Sequence, residues 1–178
     1  PKNYTLAYKW WMLATKQNHP GATFSIGVIY NTGSGLPRDE TKAFQWFKKS
    51  ADLGEKYAYE TLGDFYREGI VVRRNYKLAY RYYKKAALLG VTWAMYRSGL
   101  MAKKLAHLPV ISSSAKRWFS MAADQGDRDA MFELGVVHAE GIGTLQNFVT
   151  AHMWLNITSS FGNVKARTYR DKIAKKMT

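Results

Sequence analysis

Apolar and polar positions along this chain recur with a period of 36 residues. Aromatic residues keep this spacing in one register, and small residues keep it in two others. A constant period between about 20 and 50 residues is typical of stacked supersecondary units, so a single unit explains most of the sequence. The periodic sets are Trp10, Trp46, Tyr82, Trp118 and Trp154; Ala22, Ala58, Ala94, Ala130 and Ala166; and Gly54, Gly90, Gly126 and Gly162.

The first half of each unit is predicted to form an amphipathic helix. Ala22, Ile26 and Ile29 fall on one face of it at α-helical spacing. A glycine also recurs inside this helix, although Gly in a helix costs about 1 kcal/mol relative to Ala. We therefore expect a second helix to approach closely at that position. The recurring glycines are Gly27, Gly63, Gly99 and Gly135.

The second half of each unit is predicted to form another helix, after a glycine-rich turn. It begins after Asp39, Asn75 and Asn147, which hold equivalent positions and suit an N-cap. It ends at Gly54 and its equivalents, which suit the left-handed position after a helix, and Asn18 takes this position one period earlier. We expect the large aromatic residues of this helix to be buried: Trp46, Phe47, Tyr82, Tyr83, Trp118, Phe119 and Trp154.

The register predicts one array over residues 1–178. It contains four complete helix-turn-helix repeats at residues 19–54, 55–90, 91–126 and 127–162. A half repeat lies on each side, as single helices at about 3–17 and 164–177, which makes ten helices in all. The array therefore begins and ends in mid-repeat, so it is a piece of a longer array or its end helices act as caps.

The third repeat departs from the pattern at its turn. Leu105 and His107 stand where glycine is expected, Pro109 precedes the second helix, and the capping Asp or Asn is missing. Either the first helix extends through Lys103 and Lys104, or the turn has a different shape. A binding feature and drift in a tolerant loop are both open interpretations.

These motifs resemble the Sel1-like repeat family, a relative of the tetratricopeptide repeats. The closest match runs from Ala58 to Gly90 and includes Leu62-Gly63, Tyr66, Gly69, Ala79, Tyr82-Tyr83 and Lys85-Ala86-Ala87. The resemblance implies an all-α, right-handed superhelical α-solenoid of 36-residue repeats that binds other proteins and does no chemistry. It also offers an alternative function, because some bacterial members are immunity proteins that neutralise secreted antibacterial lipase effectors, usually in the periplasm. It thereby favours a periplasmic or secreted protein over a cytoplasmic one, although the residues themselves do not fix the compartment.

The formal net charge of +14 favours a partner protein with an acidic surface. A basic surface that only keeps the protein soluble is the alternative. The 15% aromatic content together with 27 Lys and Arg also invites a nucleic-acid interpretation. That interpretation is disfavoured, because most of the aromatic residues fall on the predicted buried stripe. No apolar run approaches the length of about 18 residues that a membrane span needs.

No constellation of residues predicts an enzyme. The chain has no Cys, and its four His residues lack the spacing of metal ligands. Gly33-x-Gly35 and Gly141-x-Gly143 resemble fragments of a phosphate loop, but they share one repeat position and lack the Lys of such a loop. His138 replaces Tyr30 and Tyr66 and is expected to be a half-buried packing residue. We expect no catalytic residue, no metal, no cofactor and no small-molecule substrate.

A binding surface is predicted on the first helices, opposite to their core residues. In solenoids such faces line the concave side, and three of the four repeats place aromatic and aliphatic residues there. The alternative is that superhelical curvature buries the aromatic members against the neighbouring repeat. The predicted concave residues are Phe24, Val28 and Asn31; Glu60, Asp64 and Arg67; Tyr96, Leu100 and Lys103; and Phe132 and Val136.

Overall fold

Helices and short turns make up the protein. The computed structural model describes residues 4–177, and no residue in that range lies in a strand. The contacts between Cα atoms group the chain into two compact units, Pro1–Val91 and Thr92–Thr178. All ten predicted helices are present, and a short additional helix lies in the third repeat.

Within each unit the longer helices pack against their neighbours along the chain. The first unit contains α1 (Tyr4–Thr15), α2 (Pro20–Thr32), α3 (Glu40–Asp52), α4 (Lys56–Glu68) and α5 (Tyr76–Leu88). The second unit contains α6 (Thr92–Lys104), α7 (Pro109–Ser112), α8 (Ala115–Asp124), α9 (Arg128–Glu140), α10 (Phe148–Ser160) and α11 (Val164–Ala174).

The predicted helix boundaries are confirmed by their caps. The side chains of Asp39, Asn75 and Asn147 each accept a hydrogen bond from the backbone N–H three residues later, at 2.9, 3.0 and 2.9 Å. This bond satisfies one of the donors that a helix start leaves free. At the other end, Gly54 has φ of 90° and Asn18 has φ of 56°, so both take the left-handed conformation expected there.

The glycines inside the first helices allow the second helices to approach closely. A Cβ atom placed on Gly63 would lie 2.6 Å from the ring of Tyr83, which is far closer than atoms pack. The same contact joins the other recurring glycines to the residue 20 positions later, at 2.5 or 2.6 Å. The other pairs are Gly27 with Phe47, Gly99 with Phe119, and Gly135 with Leu155.

The aromatic residues of the second helices divide into two groups, which corrects the expectation that all are buried. Phe47, Tyr83, Trp118 and Phe119 are buried. Trp46, Tyr82 and Trp154 are only half-buried, although Trp118 at the equivalent position of the third repeat is buried.

The turn of the third repeat contains α7. The first helix extends through Lys104, as one interpretation predicted, and the chain then forms α7 before α8 begins. Ser114 does not cap α8 with its side chain, because its hydroxyl donates to the carbonyl of Ile111 at 2.6 Å. The α9–α10 turn packs closely on this segment, since a Cβ on Gly143 would lie 2.1 Å from the carbonyl oxygen of Ser112.

Candidate functional site

In the first unit, part of the predicted binding face forms an apolar groove. Phe24 and Val28 on α2 line it together with Tyr4 and Trp11 of α1, and it encloses about 290 Å³. Phe24 is half-buried and Val28 is exposed. The groove is therefore open to a side chain from another molecule.

Phe24 is held in place by two further aromatic rings. Its ring centroid lies 5.3 Å from that of Phe47 and 6.4 Å from that of Tyr57 on α4. Tyr57 is 47% exposed, and the Lys56 ammonium lies 5.1 Å from the centre of its ring. The half-buried ring of Phe24 thus supports the exposed ring of Tyr57, and the Lys56 ammonium lies beside that exposed ring.

The polar members of the face form a hydrogen-bonded network with the core. The Tyr83 hydroxyl donates to Asp64 Oδ1 at 2.7 Å and accepts from Arg67 Nε at 3.0 Å. Arg67 Nη2 also donates to Asp64 Oδ1 at 2.8 Å. Burial and the charge of Asp64 raise the pKa of Tyr83, which therefore stays a neutral donor. Asn31 and Glu60 are half-buried on the same face.

In the second unit, Tyr96 is the half-buried aromatic residue of the predicted face. Its ring centroid lies 6.1 Å from that of Phe119 and 5.3 Å from that of Trp93. Trp93 is 41% exposed, and the Arg97 guanidinium lies 4.6 Å from the centre of its ring. Burial and the charge of Glu133 raise the pKa of Tyr96 to about 12, so its hydroxyl is protonated at neutral pH.

The remaining predicted residues of this unit differ in accessibility. Leu100 is half-buried, and the Lys103 ammonium forms an ion pair with Glu133 Oε2 at 2.9 Å. Phe132 is half-buried because it packs on a cluster of α9, α10 and α11 residues. Val136 is only 6% exposed, so its inclusion in the binding face was wrong. It lies among the core residues of α9, where seven of 13 residues are buried.

Two exposed aromatic residues of the face were missed. Tyr57 and Trp93 stand one period apart, and each contacts a predicted aromatic residue of its own unit. A cation lies over each ring. Their shared register position in the sequence is the signal that could have revealed them, because both lie at the start of a first helix and outside the predicted stripe.

Among residues 4–177, no three His, Cys, Asp or Glu side chains are grouped so that they could hold a metal ion. Within the same range, no helix has both the length and the apolar character required to cross a bilayer.

Comparison with known proteins identifies the fold and the family. A Sel1 repeat protein from Oxalobacter formigenes is 29% identical with a TM-score of 0.72, over 89% of this chain and 65% of that one. A protective antigen of uropathogenic Escherichia coli strains, which displays an SLR fold, is 27% identical with a TM-score of 0.84, over 97% of this chain and 37% of that one. The chain thus spans less than two thirds of either relative.

Two further comparisons carry less information. An immunity protein from Pseudomonas aeruginosa is 22% identical over 89% of this chain and 59% of that one, but its TM-score of 0.43 is too low to support an argument. No curated protein matches the chain.

The Sel1 repeat profile matches residues 1–19, 20–55, 57–91, 94–127 and 128–159. Because these matches cover most of the sequence, the chain belongs to the Sel1 repeat family.

Proposed function

We propose that this chain is a non-enzymatic module that binds another protein through the face of its first helices. Sel1 repeat proteins generally mediate protein–protein interactions. The proposed face comprises the sequence-predicted residues other than Val136, together with Tyr57 and Trp93. Its two parts lie in different units, and each part is proposed from the contacts within its own unit.

The observation that carries this proposal is the exposure of Tyr57 and Trp93. A soluble surface has little reason to repeat an exposed aromatic residue at one register position. Each ring rests on a half-buried aromatic neighbour, Phe24 or Tyr96, which restricts its motion. Aromatic residues that are held rigidly lose little entropy on binding, and they are frequent hot spots of protein interfaces.

The cations beside these rings indicate the chemistry of the partner. Lys56 and Arg97 each lie over an exposed ring, so each patch offers an apolar surface next to a positive charge. The net charge of +14 also favours an acidic partner for the chain as a whole. A partner with acidic side chains beside apolar ones fits this arrangement best, and long-range attraction would raise its association rate.

The test compares two exposed aromatic residues that both lie next to an arginine. Trp93→Ala removes an aromatic residue of the proposed face, whereas Phe161→Ala removes a 48% exposed ring that lies 4.4 Å from Arg128 at the end of α10. Affinity capture first identifies a partner, and calorimetric titration then measures its affinity for each variant. We expect Trp93→Ala to weaken binding by about 2 kcal/mol and Phe161→Ala by less than about 0.5 kcal/mol.

Equal losses in both variants would contradict the proposed face, and so would unchanged affinity in Trp93→Ala. A double variant of the two half-buried aromatic residues, Tyr96→Ala with Phe132→Ala, would be a less suitable test of the face. Tyr96 packs on Phe119 and Phe132 packs on a buried cluster, so their loss would also destabilise the fold. The alternative function, as an immunity protein, would be supported only if the captured partner were a secreted antibacterial lipase.

A further inference from the structure

A polar cleft opens in the second unit, apart from the proposed binding face. It lies between α8, α9, α10 and the turn before α10, and its volume is about 560 Å³. Lys116 and Ser120 of α8 form one wall, and Thr150 and Trp154 of α10 form another. His138 of α9 lies on the inner side.

At the equivalent position of the first unit, aromatic rings pack against one another. Two periods before Lys116, His138 and Trp154 stand Phe44, Tyr66 and Tyr82. The ring centroids of Phe44 and Tyr66 are 6.0 Å apart, and those of Tyr66 and Tyr82 are 5.3 Å apart with nearly parallel planes.

Two residues that line the cleft differ from their equivalents two periods earlier. Lys116 replaces a phenyl ring, and His138 replaces the larger tyrosine ring. Neither replacement improves packing, since both exchange an apolar or aromatic surface for a smaller or charged group. The cleft thus has hydrogen-bonding groups where the equivalent position of the first unit has packed aromatic rings. A cavity with a few polar groups and an apolar side is typical of a ligand site.

One buried polar atom of the cleft has no partner among the described residues. His138 is only 7% exposed, yet its Nδ1 atom has no hydrogen-bond partner among the described residues. A buried polar atom without a partner is costly, so it calls for an explanation such as a bound ligand or water. Lys116 forms no ion pair with any acid of residues 4–177, and no acidic side chain lines the cleft.

The charge of the cleft is positive at neutral pH. Burial, and then the charge of Lys116, lower the pKa of His138, so its imidazole is neutral there. Lys116 is therefore the cation of the cleft, and the hydroxyls of Ser120, Thr144 and Thr150 are hydrogen-bond donors around it. An anionic group with several acceptor positions would satisfy this set.

We propose that the cleft binds a carboxylate group, with the Lys116 ammonium as its counterion and the Trp154 ring in contact with the apolar remainder of the ligand. A carboxylate accepts several hydrogen bonds, as the surrounding hydroxyls require, and its bonds to an ammonium are stronger than neutral ones. Trp154 and Leu134 give the cleft an apolar side, so an acid that carries a hydrophobic group fits better than acetate. The carboxylate could belong to a free organic acid or to a peptide side chain.

The test compares two small probes of the same shape, one charged and one neutral, with a peptide probe. 3-Phenylpropionate carries a carboxylate and a ring, whereas 3-phenylpropionamide has the same shape without the charge. A blocked tetrapeptide whose only carboxylate is a glutamate side chain distinguishes a peptide from a free acid. Binding is followed by NMR titration of the full chain, including the imidazole signals of His138.

The matched variants are Lys116→Gln and Arg117→Gln. These residues are adjacent on α8, and both substitutions remove one positive charge, but Arg117 does not line the cleft. We expect Lys116→Gln to weaken binding of the acid at least about tenfold, and Arg117→Gln to change it less than about twofold. Bound carboxylate should also raise the pKa of His138, since it neutralises the charge of Lys116.

A third variant fills the cleft. His138→Tyr introduces the residue found at two of the three earlier equivalents, Tyr30 and Tyr66, the third being Ala102. It should abolish binding while the melting temperature is kept or raised. Equal affinity for the acid and the amide, or equal losses in Lys116→Gln and Arg117→Gln, would overturn the proposal, as would the absence of binding. Tighter binding of the peptide would assign a peptide ligand, and tighter binding of 3-phenylpropionate a free acid. None of these outcomes depends on Trp93, so the protein-binding face is tested separately.

Discussion

The helix that contains Gly63 lies directly on the ring of Tyr83, so closely that one added methyl group would have to displace the ring. A Cβ on Gly63 would be 2.6 Å from two ring carbons. The ring belongs to a fully buried residue and cannot move aside without disturbing the repeat.

We therefore expect Gly63→Ala to destabilise the protein by about 1–3 kcal/mol, as overpacked core substitutions do. The control is Gly21→Ala in the first turn of α2, where the nearest atom would be 3.5 Å from the added Cβ. That substitution should be neutral or stabilise the helix by up to about 1 kcal/mol. Urea unfolding followed by circular dichroism measures both, and an equal effect of the two changes would contradict the packing argument.

Trp118 and Trp46 are expected to respond differently to substitution, although they hold equivalent positions. Trp118 is buried, so Trp118→Ala should cost about 3–5 kcal/mol. Trp46 is half-buried, with the Lys49 ammonium 5.5 Å from its ring centre, and Trp46→Ala should cost about half as much. The exposed changes Lys48→Ala and Lys84→Ala should be near neutral. Chemical denaturation orders the four variants, and a larger loss for Trp46 than for Trp118 would refute this account.

The hydroxyl of Tyr83 is expected to stabilise the second repeat only because Asp64 accepts its hydrogen bond. Tyr83→Phe should cost about 1–3 kcal/mol, since it leaves Asp64 and Arg67 without this bond. Phe119→Tyr is the reciprocal test, because Leu100 stands one period after Asp64 and offers no acceptor. It should also destabilise, by about 1–3 kcal/mol. If Phe119→Tyr raised the stability, the hydroxyl of Tyr83 would not need the Asp64 acceptor to stabilise its repeat.

The burial of His138 predicts a pH dependence of stability. Its pKa is below the ordinary value of 6.5, so the unfolded chain binds more protons than the folded one between the two pKa values. Stability should therefore fall as the pH decreases below about 6.5, and His138→Gln should reduce this fall in melting temperature between about pH 7.5 and pH 5. The exposed residue His107 provides the control through His107→Gln. If both variants lost the same pH dependence, His138 would not be its source.

The basic charge predicts only weak binding to nucleic acid. Affinity for a random oligonucleotide should fall steeply with salt and be lost at about 150 mM, because contacts with phosphates depend on the release of counterions. Fluorescence anisotropy at several salt concentrations measures this. Sub-micromolar affinity at about 150 mM would place nucleic acid above protein as the ligand.

The fold could be predicted because its signals act within one repeat. The binding face was predicted less well, because the exposure of a residue depends on how neighbouring helices pack. The caps at Asp39 and Asn75 and the glycines at 27 and 63 act within one repeat, so a residue pattern can reveal them. Val136 shows the limit of this approach. Its helical phase matches that of exposed Val28, yet it is buried, since the burial of one helical face depends on what the neighbouring helices place against it.

The cleft beside Lys116 could have been noticed in the same sequence. An alignment of the repeats shows Lys116 in place of Phe44 and His138 in place of Tyr66. The sequence predicts His138 as a packing residue. The space that results was not predicted, because whether smaller residues leave a cavity or let the helices collapse depends on the surrounding backbone. The short helix α7 was missed for a similar reason, since its four residues carry no periodic pattern.

The contact between a glycine and the side chain 20 residues later also bears on how such a chain can change length. Both partners belong to the same helix pair in every repeat, from Gly27 with Phe47 to Gly135 with Leu155. Duplication or deletion of a 36-residue segment in the gene would therefore carry each contact along intact. Evolution can lengthen or shorten the array by whole repeats, and new surface residues can then diverge on a copy whose internal packing is already complete.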